Sequence, residues 1–313
     1  MIRRSGLPHA LEAVAIPVAA VCVALILFGL FVALAGQNPL DVYYSIYRGA
    51  FGTWFSWQNT LVRAAPLLLT ALCTALPARI GLIVIGGEGA VVAGGLTAAL
   101  MGIALNGLPP LIVIGAMMIT GMLVGAVWIG AVGALKHYRG VNETISSLLL
   151  NYIAIAILSF LVIGPLKDPE TLNKPSTFPI GDANMIGSIG ASSVHWGFAI
   201  GIAVCVALWF LMRHTPFGMS VDIIGGNPRA ARLAGLPVAR MIWIVCALAG
   251  AAAGLAGVME VAAVHGRANN SLNANYGYAG ILVAFIARHN PLAIIPVAIL
   301  LGGIKASSGL LQR

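Results

Sequence analysis

The chain has 313 residues, of which 60% are hydrophobic and only 8% charged, with a formal net charge of +8. Soluble domains carry about 25% charged residues, so this composition excludes a soluble globular protein and leaves a polytopic membrane protein built of helices. The basic surplus does not point to nucleic acid, because Lys and Arg stand singly at the ends of apolar runs, the pattern that orients membrane helices.

A spanning helix needs about 20 apolar residues. Arg3 and Arg4 precede the apolar run Val14–Leu34 as in a signal peptide, but the run is long and lacks a cleavage site. The sequence therefore predicts a retained first helix over 13–35 that starts inside and runs outward. Residues 36–59 read as a mixed outer segment whose Tyr43, Tyr44, Tyr47, Trp54 and Trp57 form an aromatic interfacial belt. Further helices are predicted over 60–78, 82–104, 109–135 and 143–164. An external loop follows over 165–194, holding Lys167, Asp168, Glu170, Lys174 and Asp182. A helix over 195–212 returns inward to a loop over 213–240. Helices over 241–264 and 291–306 flank a short segment over 277–287 that ends at Arg288. On this path Arg3, Arg4, Arg79, Lys136, Arg139, Arg213, Arg229, Arg232, Arg240 and Arg288 lie inside. Arg48, Arg63, Lys167, Lys174 and Arg267 lie outside. That bias puts the N-terminus and the 213–240 loop in the cytoplasm. The expected fold is one all-α membrane bundle over 1–313, with about nine to ten transmembrane helices. Because the chain stops after an outward span, it is expected to be short of its natural C-terminus.

Cys22, Cys73, Cys205 and Cys246 fall inside apolar runs without paired spacing, which predicts buried inert thiols and neither a disulfide framework nor a metal site. Glycines spaced four apart, at Gly121/Gly125, Gly197/Gly201 and Gly250/Gly254, mark close helix packing. A faint echo relates Ala75–Arg79, which precedes Gly94-Gly95, to Ala284–Arg288, which precedes Gly302-Gly303.

Within the 213–240 loop, Ile223–Met241 carries the densest polar punctuation in the chain. Asn227 is an N-cap, Pro228 fits the first helical position, Gly235 suits a left-handed stop and Pro237 prevents continuation. A helix of about seven residues results, too short to persist without bracing. Its Ala230, Leu233 and Ala234 are apolar and its Arg229 and Arg232 charged, which suits either a solvated connector or a docking helix for a partner protein.

No Walker A loop, HExxH, GxSxG or Cys-x-x-Cys is present, so no catalytic constellation and no metal site is predicted. The informative residues are the few polar groups at membrane depth, which are costly and commonly mark a pathway. Glu88 sits in the glycine-rich interruption Ile85–Gly89. Glu143, Ser147 and Asn151, spaced i, i+4, i+8, share one helix face, serving either the pathway or interhelical hydrogen bonds. Glu260 lies near the outer end of its helix and either lines the pathway or pairs with Arg267. Tyr276 and Tyr278 read as outer belt residues.

Five blocks in order, Pro66–Gly95, Val141–Ala154, Ile223–Met241, Val264–Arg267 and Gly277–Pro291, resemble permease subunits of bacterial ATP-binding-cassette importers. The group serves simple sugars, branched-chain amino acids and nucleosides, and the nucleoside branch is nearest. The resemblance implies a type II importer-like bundle, a single permease domain in the bacterial inner membrane, and a second permease subunit forming a homo- or heterodimer. It also implies two cytoplasmic ATPases, which use ATP–Mg while this chain binds no cofactor, and an extracytoplasmic substrate-binding lipoprotein. Gly226, Asn227, Pro228, Arg229, Ala230, Ala231, Arg232, Ala234 and Gly235 would then form the ATPase-coupling segment. Where nucleoside permeases read Asn-Ile-Gly-Ala-Glu-Gly-Gln, this chain has Val84 and Ala90 in place of the two amides around Glu88. The expected role is nucleoside or nucleobase import; the alternatives are a monosaccharide permease of the same kind and an ion-coupled secondary transporter.

Overall fold

The computed structural model describes residues 9–171 and 173–311. Helix α1 (His9–Leu34) is followed by α2 (Pro39–Ala50), and the described part of α1 from Val21 meets α2 at 119°. Asn38 caps α2 by accepting the Leu40 N–H at 3.1 Å. The mixed outer segment read over 36–59 is thus mostly helical. α2 turns its Tyr44 and Tyr47 outward, and Thr53 caps the next helix at Trp54 through the Ser56 N–H, 3.1 Å away.

Helices α3 (Trp54–Ala78), α4 (Gly87–Ala104), α5 (Pro110–Arg139) and α6 (Glu143–Ile163) follow, then α7 (Trp196–His214). Two short helices occupy the next loop, α8 (Pro216–Gly226) and α9 (Pro228–Leu233). α10 (Val238–Met259) continues as a π-helix over Glu260–His265, and α11 (Tyr276–Ile286) and α12 (Pro291–Leu311) complete the order. Among the described residues seven helices are long and apolar enough to cross a membrane, or eight if α1 and α2 are one bent span. α11 has 11 residues, about 17 Å at 1.5 Å per residue, and reaches only half-way through a bilayer core. It corresponds to the short segment expected over 277–287.

Lipid tails are as apolar as Leu, so packing among spans depends on close backbone approach. α4, α5 and α10 achieve it at a glycine seam. A Cβ on Gly254 would collide with the Gly121 carbonyl, and one on Gly125 with the Gly250 carbonyl. Around this seam α3 is buried along most of its length and touches α7, α10, α11 and α12. Outward-facing Phe160, Leu111, Val127 and Phe210 are exposed, as expected of a lipid-facing surface. Cys73, Cys205 and Cys246 are buried free thiols, whereas Cys22 is exposed on α1.

α8 was not legible as a helix. Thr215 caps it through the Gly218 N–H and Pro216 takes its first position. Gly225 lies so close to the Arg79 carbonyl that a Cβ would collide, which seats α8 on the end of α3.

Candidate functional site

The centre of the bundle is a junction of broken helices. Between α3 and α4 the chain unwinds over 79–86. Backbone polar groups without water must be satisfied by protein. α6 supplies much of what is needed: Thr144 Oγ1 donates to Ile83 O at 2.9 Å, Ser147 Oγ accepts from Ile85 N at 3.1 Å, and Asn151 Nδ2 donates to Ile85 O at 3.0 Å. Asn151 Oδ1 also accepts the Gly89 N–H at 2.7 Å, and Thr74 of α3 reaches Val84 O at 3.4 Å. The polar stripe read from the sequence therefore faces this gap. Glu143, at the start of α6, accepts from Lys136 Nζ at 2.8 Å.

Glu88 opens α4 with a fully buried side chain. Its carboxylate takes the Asn275 N–H at 2.8 Å and the Gly277 N–H at 2.6 Å. An anion thus meets the positive end of α11, the arrangement a helix N-terminus favours. Gly277 packs on Gly87 and Glu88 without room for a Cβ. Thr70 Oγ1 donates to Tyr276 O at 3.0 Å, and Lys305 Nζ donates to Ala274 O at 3.2 Å while lying 4.0 Å over the Tyr276 ring. Tyr276 and Tyr278 are consequently not outer belt residues. Tyr276 is buried and the Tyr278 hydroxyl accepts from Asn151 Nδ2 at 3.3 Å, because α11 starts in mid-bundle.

Beside this junction opens a cleft of about 510 Å³ lined by Asn59, Arg63, Glu260, His265, Asn273 and Tyr276. Glu260 and His265 lie at the two ends of the π-helical stretch, with Glu260 Oε2 3.5 Å from His265 Nε2. The expected Glu260–Arg267 pair does not form. Gly266, at φ 64°, reverses the chain, and Arg267 turns to the 165–194 loop, 3.5 Å from Asp168 Oδ2 and donating to Ser176 Oγ at 3.2 Å. Behind Glu260 sits His195, buried before α7, with neither ring nitrogen hydrogen-bonded among the described residues. Burial holds its pKa below the ordinary imidazole value, more than the nearby Glu260 charge raises it. Neither Asn59 nor Asn273 was marked by the sequence, since isolated amides give no periodic signal.

At the opposite end from this cleft, Asn227 caps α9 by accepting the Arg229 and Ala230 N–H groups at 3.0 and 3.1 Å. Gly235, at φ 80°, ends it, with Leu236 N donating to Ala231 O at 3.0 Å. Ala231 is fully buried and anchors the helix. It cannot touch a partner, unlike Gly226, Pro228, Arg229, Ala230, Arg232, Ala234 and Gly235, all exposed. Leu233, 91% exposed, stands at the tip.

Residues 56–313 match the family described as branched-chain amino acid transport system / permease component. The chain belongs to this family. The permease is 30% identical over 289 residues to the glucose ABC transporter permease protein TsgB13 of Haloferax volcanii, covering 89% of this chain and 76% of that one. It is 28% identical over 306 residues to the guanosine ABC transporter permease protein NupP of Bacillus subtilis (93% and 84%). With the nucleoside ABC transporter permease protein NupB of Lactococcus lactis it shares 26% identity over 304 residues (94% and 84%). It is a multi-pass membrane translocation component of the ABC type, and such components are not enzymes.

Proposed function

We propose that this permease imports nucleosides or related nucleobase compounds across the bacterial inner membrane, driven by a separate ATPase that uses ATP–Mg. The observation that carries the coupling is α9: a capped helix anchored by Ala231 that holds Leu233, Arg229 and Arg232 outside the bundle. Exposed Leu on a helix too short to be stable alone has a reason when a partner covers it. Closure of an ATPase dimer on this face would press α9 and α8 against the end of α3. A second permease subunit and an extracytoplasmic binding protein complete the assembly, with the whole chain acting as one permease domain, its N-terminus cytoplasmic.

The guanosine and nucleoside relatives support the cargo class. Among the sequence candidates we assign Glu260 to the cargo path, because it borders the open cleft with Asn59, His265 and Asn273. These groups offer the hydrogen bonds a ribose or a base edge requires. Glu88, Ser147 and Asn151 we assign to the frame, their polar atoms being engaged by backbone, and Glu143 likewise through Lys136.

The test is reconstitution of the permease in liposomes with a candidate ABC ATPase and a candidate substrate-binding protein from the same organism. Guanosine and other nucleosides are expected to stimulate ATP hydrolysis and accumulate inside. Stimulation by monosaccharides alone would establish the sugar reading that the glucose permease relative supports. Uptake driven by an ion gradient without ATP would overturn both.

A further inference from the structure

At the end of the bundle that carries α8 and α9, a second cleft of about 610 Å³ opens between Arg79, Trp209, Arg213, Arg288, His289 and Asn290. The proposed transport does not use it. It lies where three spans terminate: the end of α3, the last turn of α7 and the link between α11 and α12. Three guanidinium groups face one cleft, yet among the described residues the only carboxylate paired there is Asp222. That acid lies 3.6 Å from Arg79 Nε and is itself 57% exposed. Arg213 and Arg288 have no ion-pair partner among the described residues.

The link is built to hold this charge in place. Arg288 and His289 are both left-handed, at φ 50° and 57°, a conformation that costs non-glycine residues energy and persists only when neighbours enforce it. Three backbone bonds enforce it: Arg288 N to Phe285 O at 3.0 Å, His289 N to Ala284 O at 2.8 Å and Asn290 N to Ala287 O at 3.0 Å. Asn290 Oδ1 then caps α12 through the Leu292 N–H at 3.1 Å. His289 is left with a buried, unpartnered Nδ1.

The flanks are apolar and face outward. Trp209 lines the cleft, Phe285 stacks edge-on against His289 at 4.9 Å, and Phe285 and Ile286 are about half exposed. A basic pocket with an apolar outer wall, at the level where membrane helices end, matches an amphiphile lying in the bilayer interface. We propose that this cleft binds the phosphate headgroup of an anionic phospholipid, with the acyl chains lying along Phe285 and Ile286. A soluble phosphate would use the guanidinium groups but has no need of that wall.

The experiment uses the purified full chain, delipidated in detergent, titrated with phosphatidylglycerol, phosphatidylcholine or inorganic phosphate and read by native mass spectrometry and melting temperature. Phosphatidylglycerol is expected to be retained and to raise the melting temperature; the other two are not. Each interfacial guanidinium contributes about fivefold, so Arg213→Gln with Arg288→Gln is expected to weaken phosphatidylglycerol binding about 30-fold. Arg139→Gln, remote from the cleft, controls for general charge loss and is expected to bind as wild type does. Should the double variant melt early in detergent alone, each single variant is titrated instead, with about fivefold expected. Equal retention by wild type and variants overturns the proposal, as does equal protection by phosphatidylcholine. Protection by inorganic phosphate alone makes it a soluble-anion site. Lost ATPase binding with unchanged lipid binding assigns the cleft to that partner, and both outcomes overturn a lipid site.

Discussion

Replacing Glu88 by Gln separates a helix clamp from a cargo ligand. Both carboxylate oxygens are acceptors, at 2.8 Å from Asn275 N and 2.6 Å from Gly277 N, and the side chain is wholly buried. Gln has nearly the same shape but offers one acceptor and one donor, so one backbone N–H of α11 must face another N–H. A hydrogen bond to a charged group contributes ~1.5–3 kcal/mol, and an orphaned buried donor costs ~1–3 kcal/mol. Loss of the anion at the α11 N-terminus removes a further ~0.3–2 kcal/mol. Because these effects overlap, the expected destabilisation is ~2–4 kcal/mol, or a fall in melting temperature of roughly 3–6 °C for a chain of this length. A thiol-reactive dye reads it directly, since Cys73, Cys205 and Cys246 are buried and Cys73 lies beside Gly87. In a Cys22→Ser background, which removes the exposed thiol, Cys73 should label first as α11 loosens. A Glu88→Gln protein that melts within about 1 °C of wild type, with Cys73 still protected, would refute the clamp. If such a stable variant had also lost transport, Glu88 would be a cargo ligand.

Asn151→Leu should leave the Gly89 N–H and the Ile85 carbonyl unpaired, costing ~2–5 kcal/mol. Amide hydrogen exchange is expected to accelerate over 82–89 but not in α10, and unchanged protection would remove α6 from this role. Leu233→Asp, at a fully exposed tip, should leave melting unchanged while cutting substrate-stimulated ATP hydrolysis in the assembled transporter about tenfold. Intact coupling would dismiss α9 as the docking element. By contrast Ala231→Trp should lower the melting temperature, since no space exists at that buried site. His195 adds a pH dependence: burial lowers its folded pKa below the unfolded value near 6.5, so the unfolded chain binds the extra proton. Stability is therefore full above about pH 6.5 and declines as pH falls through the window between the two values. His195→Asn should flatten the decline, and an unaltered melting profile between pH 7.5 and 5.5 would exclude His195 as its source.

The spans were legible because each is a long apolar run closed by a charge or a proline, and α9 because Asn227, Pro228 and Gly235 each permit one local geometry. α8 was missed although Thr215 and Pro216 mark its start, because its 11 residues include three glycines and its seat against Arg79 is a tertiary contact. The stripe Glu143, Ser147, Asn151 was visible as a periodicity, but its purpose depended on an unwound strand 62 residues earlier in the chain. The π-turn at Glu260–His265 was not visible at all, since an inserted residue leaves the apolar pattern on either side intact.

Under the proposed function, that turn shifts the candidate for cargo recognition from Glu88 to Glu260. A buried carboxylate in a glycine-rich break draws attention in a sequence, yet Glu88 spends its acceptors on α11 and is not among the residues lining the cleft that Glu260 borders. Glu260, spaced five residues from His265, is placed by the π-helix at the wall of an open cleft, its buried side chain 3.5 Å from that histidine. The two carboxylates differ in what surrounds them. One meets fixed backbone donors that close two broken helices into a rigid centre. The other meets His265 and shares its cleft with the side chains of Asn59, Arg63 and Asn273. A bundle that must alternate between two openings needs both, a frame that holds its broken helices and a polar wall that exchanges partners. Under the proposed transport function, a division of labour between Glu88 and Glu260 follows from that requirement.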